Sequence, residues 1–250
     1  MKKDWFKVWF ESEYYQKVYS HRDSEDAKLL CELILKTTHL QKDAKILDAA
    51  CGNGRHYINF SKAGFNVFGF DLSKNLLFEA KANSFNKKIP QNFFCSDIRF
   101  TCLKTRFDLI TNLFTSFGYF DEDDENFLFI EKAFNLLNEN GFYVLDYFNV
   151  EYLKNNLKLI SEKKVESLHI KEERFIHENR INKKIIIVDL KNNSENENMI
   201  FYESVKLYKR DELIERISKY GFKLQFEFGN YYGEKFNLKS SERLILFFKK

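Results

Sequence analysis

The chain has 250 residues, of which 44% are hydrophobic and 17% aromatic, so it can bury one sizeable core. Its formal net charge is only +3 and its lysines are interleaved with glutamates, which argues against a nucleic-acid-binding surface. No apolar run approaches the length of a membrane span, and the charged start lacks the apolar centre of a signal peptide. These features predict a cytoplasmic protein with no nucleic-acid or membrane partner, folded as one large domain or as one domain with an insertion.

The most informative segment is residues 46–56, where an apolar run ends in an acid and then breaks at two glycines. The pattern predicts a buried strand that carries Asp48 at its carboxyl end, followed by a tight turn at Gly52 and Gly54. A helix is expected to begin near Arg55. A strand, a glycine turn and a helix N-terminus together form a site for a polar, nucleotide-like ligand.

Strands and helices continue to alternate after this turn. The predicted elements are, in chain order, strands at 66–71, 92–95 and 107–114, a helix that begins near Asp123 and that Gly141 ends, a strand at 142–146, a helix that Asp211 caps, and an antiparallel strand pair at 222–228 and 243–248. Such alternation predicts a Rossmann-like α/β fold, with a seven-stranded, mostly parallel sheet and helices on both faces.

Residues 151–208 interrupt this alternation. Runs at 184–190 and 199–207 have strand character and flank a polar spacer that is typical of a hairpin tip. We therefore predict a small antiparallel β insertion after the fifth strand. Because this position lies at the carboxyl edge of the sheet, where ligands bind, the insertion is expected to form a lid or a wall for the substrate. The alternative is a structural embellishment that does not touch substrate. The predicted domains are 1–150 together with 209–250, and the insertion 151–208.

Two classes of ligand use such a glycine turn, and the sequence separates them. The dinucleotide fingerprint requires a third glycine three residues after the second, and that position here is Tyr57. The second predicted strand ends at Asp71, whose carboxylate is placed to accept hydrogen bonds from ribose hydroxyls. The pattern therefore favours an adenosine ligand without a pyrophosphate, and a nicotinamide dehydrogenase is the least favoured enzyme.

The motifs Asp-x-x-Cys-Gly-x-Gly-Arg at 48–55 and Gly-Phe-Asp-Leu-Ser at 69–73 resemble those of class I S-adenosylmethionine-dependent methyltransferases. The similarity runs over most of the chain, and it is closest to small-molecule-type bacterial members that carry a small antiparallel sheet over the active site. The resemblance implies S-adenosylmethionine as the cofactor. It specifies the acceptor poorly, because one fold serves many acceptors.

The resemblance also implies which residues contact the cofactor. The glycine turn faces the methionine moiety, Asp71 binds the ribose hydroxyls, and Leu72 packs on the adenine. Asp97 faces the adenine amino group, and the tip of the fourth strand passes beneath the sulfonium. Arg22 resembles an arginine that clamps the cofactor carboxylate. The complete predicted set is Tyr15, Arg22, Asp48, Ala50, Cys51, Gly52, Asn53, Gly54, Asp71, Leu72, Asp97, Ile98, Asn112, Leu113 and Phe114.

The activity that the resemblance implies is methyl transfer to nitrogen or oxygen of a small-molecule acceptor by in-line displacement. The protein then acts mainly by holding the nucleophile in line, and a base is needed only for an acceptor that arrives protonated. Weak candidates for a catalytic role are Tyr147, His169 and Tyr231. No metal site is predicted, because the acidic run at 121–125 lacks the glycine and the spaced oxygen ligands of a calcium loop.

Two alternatives remain open from the sequence. One is a methyltransferase that acts on RNA or on a peptide or protein, against which the modest charge weighs. The other is a non-catalytic regulatory module that binds the cofactor, against which the intact motif residues weigh. The expected partner is a small-molecule acceptor, and the chain is expected to be a monomer or a homodimer. The identity of the acceptor and the methylated atom are not specified by the sequence.

Overall fold

The structure is a computed structural model that describes residues 4–19, 24–191 and 198–250. Its elements are, in chain order, α1 (Trp5–Glu11), α2 (Glu13–Val18), α3 (Ser24–Thr38), β1 (Lys45–Ala49), α4 (Arg55–Lys62), β2 (Asn66–Asp71), α5 (Lys74–Asn86), β3 (Phe93–Cys95), β4 (Phe107–Asn112), α6 (Asp123–Leu136), β5 (Leu137–Phe148), α7 (Val150–Asn155), β6 (Ile160–Val165), β7 (Leu168–His177), β8 (Arg180–Asp189), β9 (Met199–Lys206), α8 (Arg210–Ser218), β10 (Lys223–Phe228) and β11 (Arg243–Lys249). None of the helices among these residues is long and apolar enough to cross a bilayer.

Seven strands form the main sheet in the order β10-β11-β5-β4-β1-β2-β3. The pairs from β5 through β3 are parallel, whereas β11 runs antiparallel to both β5 and β10. The predicted Rossmann-like sheet is confirmed. Its parallel strands bring the carboxyl ends of β1, β2, β3 and β4 to one edge, and this edge carries the residues discussed below.

Both faces of the main sheet are covered by helices, as predicted. Neighbouring residues of one strand enter opposite cores because side chains alternate across a sheet. Ile46 and Leu109 pack in a cluster with α3, α4 and α5, whereas Leu47 and Ile110 pack in a second cluster with α6 and α8. All four side chains are fully buried. The main sheet is therefore held from both sides and provides a rigid support for its carboxyl edge.

A second sheet, β6-β7-β8-β9, is antiparallel throughout and follows β5 in the chain. The predicted antiparallel insertion after the fifth strand is thus confirmed, and a short helix, α7, precedes its first strand. The division into residues 1–150 with 209–250 and 151–208 stays a prediction. Helix α1 packs on the second sheet, where Trp5, Phe6 and Trp9 join a cluster of apolar residues from β7 and β8.

Two predicted helix boundaries are wrong. Helix α6 ends at Leu136, and β5 begins at Leu137 and continues through Gly141, because Leu137 already pairs with Phe107 of β4. Helix α8 begins at Arg210, so Asp211 lies in its first turn and is not the N-cap. An acid in the first turn interacts favourably with the helix dipole, which produces the same sequence signal as a cap.

Candidate functional site

The turn after β1 is built on three residues with left-handed backbone, Ala50, Gly52 and Gly54, at φ values of 55°, 55° and 81°. A Cβ placed on Gly54 would lie 3.1 Å from the Cβ of Ala80, so glycine allows α5 to pack against the turn. A Cβ placed on Gly52 would meet no atom within 4 Å, and Gly52 lines a cavity. The two glycines therefore have different roles. Gly54 allows close internal packing, and Gly52 leaves space for a ligand.

This first cavity has a volume of about 310 Å³ and lies at the carboxyl edge of the main sheet. The predicted cofactor residues that line it are Tyr15, Asp48, Ala50, Cys51, Gly52, Asn53, Asp71, Leu72, Asp97, Ile98, Leu113 and Phe114. Gly54 and Asn112 do not line it. The Asn112 side chain is buried and donates to the carbonyl of Ala49 at 3.3 Å, so it connects two strands and does not face the cavity. Arg22 lies outside the described residues.

Asp48 is a buried carboxylate on the wall of the first cavity. Its Oδ1 accepts a hydrogen bond from the Thr111 hydroxyl at 3.1 Å, while its Oδ2 is buried without a hydrogen-bond partner among the described residues. Burial raises the pKa of Asp48 to about 7, and the nearby charge of Asp71 acts in the same direction. An unpartnered buried carboxylate oxygen is costly, so this atom indicates a position that a ligand donor can occupy.

The raised pKa of Asp48 predicts a specific pH dependence of stability. Below pH 7 the folded protein holds a proton that the unfolded chain releases near pH 4, so the contribution of Asp48 to stability is lost as the pH rises towards 7. Asp48→Asn mimics the protonated form. Its free energy of unfolding relative to wild type is expected to rise by about 2–3 kcal/mol between pH 5 and pH 8. Urea denaturation without ligand tests this, and parallel pH curves for the two proteins would contradict it.

Asp71 joins the tip of β2 to the glycine turn. Its Oδ2 accepts from the Gly52 amide at 2.8 Å and its Oδ1 accepts from the Ser73 amide at 2.9 Å. Burial raises the pKa of Asp71, although these backbone amides oppose the shift. The carboxylate lines the first cavity, and beside the backbone amides of Gly52, Ser73 and Leu72 it still has room for a further donor. It can therefore fix the turn and accept hydrogen bonds from a ligand at the same time.

Asp97 has partners that the sequence analysis missed. Its Oδ2 accepts from the Arg99 guanidinium at 2.8 Å, and its Oδ1 accepts from the Arg99 amide and Nε. Arg99 is held in turn by Glu125 at 2.7 Å. Burial alone would raise the pKa of Asp97, but the hydrogen bonds and charge of Arg99 hold it below its ordinary value. Asp97 is therefore an ionised and oriented carboxylate at the cavity wall.

His56 lines the first cavity but was not among the predicted site residues. It is buried, and its Nε2 has no hydrogen-bond partner in the described part of the chain. Burial and the neighbouring charge of Arg55 lower its pKa to about 3, so the imidazole is neutral at physiological pH. Its position next to Arg55, directly after the glycine turn, was visible in the sequence, but its orientation depends on how α4 packs.

A second cavity, of about 910 Å³, adjoins the first. Four aromatic residues line both cavities and form what we call the aromatic neck: Phe10, Tyr15, Phe114 and Tyr119. The second sheet contributes one wall of the second cavity, through Arg174, Ile181, Lys183, Glu203 and Val205. The connection between β10 and β11 contributes the wall that includes Tyr231. The insertion therefore lines a cavity that shares the aromatic neck with the cavity at the glycine turn.

The three candidates for a catalytic role lie in different surroundings. Tyr147 is fully buried, its hydroxyl donates to the carbonyl of Lys206, and it lines neither of the two cavities. His169 lies 3.3 Å from Glu162 on the second sheet and also lines neither. Tyr231 lines the second cavity. Of the three candidates, only Tyr231 thus lines one of the two cavities, and a catalytic role for any of them stays a prediction.

A polar network connects the N-terminal helices to the insertion. Trp9 Nε1 donates to Glu203 Oε1 at 2.7 Å, and the Tyr19 hydroxyl donates to the same oxygen. Lys183 Nζ lies 2.8 Å from Glu203 Oε2 and donates to the Tyr19 hydroxyl at 2.6 Å. No sequence signal could have found this network, because its members come from α1, the end of α2, β8 and β9. The network thus connects Tyr19, which lines the first cavity, to Lys183 and Glu203, which line the second.

The fold is similar to that of known methyltransferases. Residues 46–141 match a family model described as a methyltransferase domain. A putative methyltransferase of Geobacillus sp. (strain WCH70) is 28% identical over 133 residues, which make up 53% of this chain and 54% of that protein. The chain thus spans about half the length of the curated relatives it matches.

Solved structures resemble nearly the whole chain. An S-adenosylmethionine-dependent methyltransferase from Clostridium acetobutylicum has a TM-score of 0.80 at 22% identity, covering 94% of this chain and 96% of that chain. A sugar N-methyltransferase from Streptoalloteichus sp. has a TM-score of 0.70 at 14% identity, covering 93% and 91%. The resemblance to class I methyltransferases is therefore confirmed at the level of the fold, and residues 46–141 match the methyltransferase-domain model. These findings support the predicted S-adenosylmethionine-dependent enzyme class and its cofactor.

Proposed function

We propose that this protein transfers a methyl group from S-adenosylmethionine to an amine nitrogen of a small-molecule acceptor. The observation that carries the proposal is the pair of adjoining cavities. The first lies against the glycine turn, the second is lined by the insertion, and the aromatic neck connects them. Cofactor and acceptor can then bind on opposite sides of the neck and meet within it. A binding module would need only the first cavity.

The residues of the first cavity fit S-adenosylmethionine. Asp48 offers a buried oxygen without a partner to a cationic amino group, and Gly52 leaves open the space in which a ligand can lie against the backbone. Asp71 would accept hydrogen bonds from the ribose hydroxyls, and Leu72 and Ile98 would pack on the adenine. When bound, the cofactor supplies a methyl group that is already activated by its sulfonium charge.

The protein itself would contribute the orientation of the cofactor and the acceptor. Aromatic faces attract cations, so the rings of the neck favour a positively charged group between the two cavities. The second cavity has the size of a typical small-molecule site, and its remaining walls include both acidic and basic side chains. A nucleophile held in line with the sulfonium needs little further assistance. The insertion would form the wall that selects the acceptor.

The proton chemistry of the second cavity favours nitrogen over oxygen as the methylated atom. Burial and the charge of Asp146 raise the pKa of Tyr231, which keeps its hydroxyl protonated. Glu203 already accepts hydrogen bonds from Trp9 and lies beside Lys183. A hydroxyl acceptor needs a base to take its proton, whereas the neutral fraction of an amine attacks through its lone pair, displaces the thioether, and releases the proton of the resulting ammonium to water. These engaged groups suit an amine acceptor, and a protein of similar fold is a sugar N-methyltransferase.

The proposal is tested in two steps. Calorimetric titration with S-adenosylhomocysteine should give micromolar binding, and NADH should not bind. A panel of amino sugars and other small amines, each paired with its hydroxyl counterpart, is then assayed for methyl transfer by mass spectrometry. Turnover confined to the amines supports the proposal. Binding of NADH alone would contradict the cofactor assignment, and turnover of the hydroxyl compounds would contradict the choice of nitrogen.

A further inference from the structure

The segment after β4 has an unusual backbone at the aromatic neck. Phe114 and Thr115 both have left-handed conformations, with φ values of 53° and 64°. A β-branched residue such as threonine rarely adopts this region, because its Cβ substituents collide with the backbone. Two successive residues of this kind persist only where the surroundings hold them in place. The structure must therefore contain a group that fixes this turn.

Asp146 of β5 is that group. Its Oδ2 accepts from the Phe114 amide at 2.9 Å, and its main-chain carbonyl accepts from the Thr115 amide at 3.0 Å. Arg243 completes the arrangement, because its Nε donates to Asp146 Oδ1 at 2.9 Å and its guanidinium donates to the Thr115 hydroxyl at 3.0 Å. The Asp146 side chain is fully buried. One residue thus holds both strained positions, through its side chain and its main chain.

The same carboxylate also orients an aromatic ring. The Tyr231 hydroxyl donates to Asp146 Oδ2 at 3.2 Å, and the Tyr231 ring stacks on the Phe114 ring with centroids 5.6 Å apart and planes 14° from parallel. The Arg55 guanidinium lies 5.0 Å from the centre of the Phe114 ring. Phe114 is one of the four residues that line both cavities. Its placement therefore determines the shape of the passage between them.

We propose that Asp146 is a positioning residue that, with Arg243, holds the strained Phe114–Thr115 turn so that Phe114 faces both cavities. The identity of the bound ligand rests on the proposed function, but the role of Asp146 in the backbone does not. All of the side-chain contacts of Asp146 come from donors. In Asp146→Asn an amide NH₂ replaces one carboxylate oxygen. The NH₂ group cannot accept the hydrogen bonds that this oxygen accepted, so part of the turn is released.

The test compares Asp146→Asn with Asp108→Asn. Asp108 also accepts a backbone amide, that of Lys45 at 2.8 Å, but it lies at the start of β4, at the opposite edge of the sheet. Hydrogen exchange measured by mass spectrometry should be at least about tenfold faster at amides 113–117 in Asp146→Asn only. The same variant should bind S-adenosylhomocysteine several-fold more weakly, while Asp108→Asn binds as wild type.

A second substitution that restores affinity in Asp146→Asn shows whether Asp146 positions the turn or only stabilises the protein in general. In the Asp146→Asn background, Thr115→Gly should restore affinity, because glycine adopts this φ without strain. Thr115→Ala, which removes the same hydroxyl but keeps a Cβ, should not restore it. Unchanged exchange at 113–117 in Asp146→Asn, or equal rescue by both Thr115 variants, would overturn the proposal.

Two further outcomes are informative. If Asp146→Asn does not fold, the single variants decide, because Thr115→Gly should melt several degrees above Thr115→Ala if the turn is strained. The opposite order would overturn the proposal. If the wild-type protein binds no S-adenosylhomocysteine, the proposed cofactor is wrong. The exchange comparison between Asp146→Asn and Asp108→Asn then still decides the role of Asp146.

Discussion

Replacing Asp71 with alanine is expected to weaken binding of S-adenosylhomocysteine by about ten- to a hundredfold, the scale of lost charge-assisted hydrogen bonds. The effect has two sources. The carboxylate is the group placed to accept from the ribose hydroxyls, and it also holds the Gly52 amide at 2.8 Å. Its removal therefore takes away a ligand contact and loosens the turn against which the ligand lies. Calorimetric titration measures the change directly.

Asp108→Ala is the matched control for this experiment. Asp108 accepts from the Lys45 amide at 2.8 Å and from Asn138 Nδ2 at 2.7 Å, so it too connects neighbouring segments through two hydrogen bonds. It lies at the other edge of the same sheet and should affect stability without affecting affinity. If both alanine variants lost affinity equally, the loss would reflect general loosening. If Asp71→Ala bound as wild type, the ribose would not be at the tip of β2.

The second large effect is expected from the two glycines of the turn. Gly54→Ala should destabilise the protein by about 2–4 kcal/mol, because alanine is strained at φ 81° and its Cβ would lie 3.1 Å from Ala80. Gly52→Ala should cost about 1–2 kcal/mol, since only backbone strain is added. Its methyl group would instead project towards the first cavity and lower the affinity for S-adenosylhomocysteine at least about tenfold. The first change thus acts mainly on stability and the second mainly on binding.

Urea denaturation and calorimetric titration of the two variants distinguish these effects. Each variant serves as the control for the other, because both place alanine at a left-handed position of the same turn. A Gly52→Ala protein that binds as wild type would show that the ligand does not approach this side of the turn. A Gly54→Ala protein as stable as wild type would show that α5 can move away from the turn without cost.

The sheet and the convergence of the site residues could be predicted because both follow from local patterns. Apolar runs that end in Asp48, Asp71 and Asp97 identify strand tips, and parallel pairing brings those tips to one edge. The structure places all three carboxylates on one cavity. Their contacts with the cofactor stay predictions. The cytoplasmic location and the state as a monomer or homodimer also stay predictions.

The partners and the orientations of these side chains could not be predicted, because they depend on packing between segments that are distant in sequence. Arg99 pairs with both Asp97 and Glu125, and Arg243 pairs with Asp146, 97 residues earlier in the chain. Asn112 lies at a predicted strand tip, yet its side chain is used between strands. Tyr147 is next to Asp146 in sequence, but neighbouring strand residues point in opposite directions. A shift of one position thus separates Asp146, which holds the Phe114–Thr115 turn, from Tyr147, whose hydroxyl donates to the carbonyl of Lys206.

The packing of α1 on the second sheet has a consequence for how the chain folds. Trp9 and Glu203 are 194 residues apart, so α1 is synthesised well before the strands β7, β8 and β9 on which it packs. Until those strands are synthesised, Trp5, Phe6 and Trp9 have no apolar surface of the second sheet to cover them. Contacts of such long range form slowly and leave apolar side chains exposed in the meantime. We therefore expect the apolar side chains of α1 to stay exposed until the second sheet forms, and the second cavity to be completed only when that sheet supplies its wall.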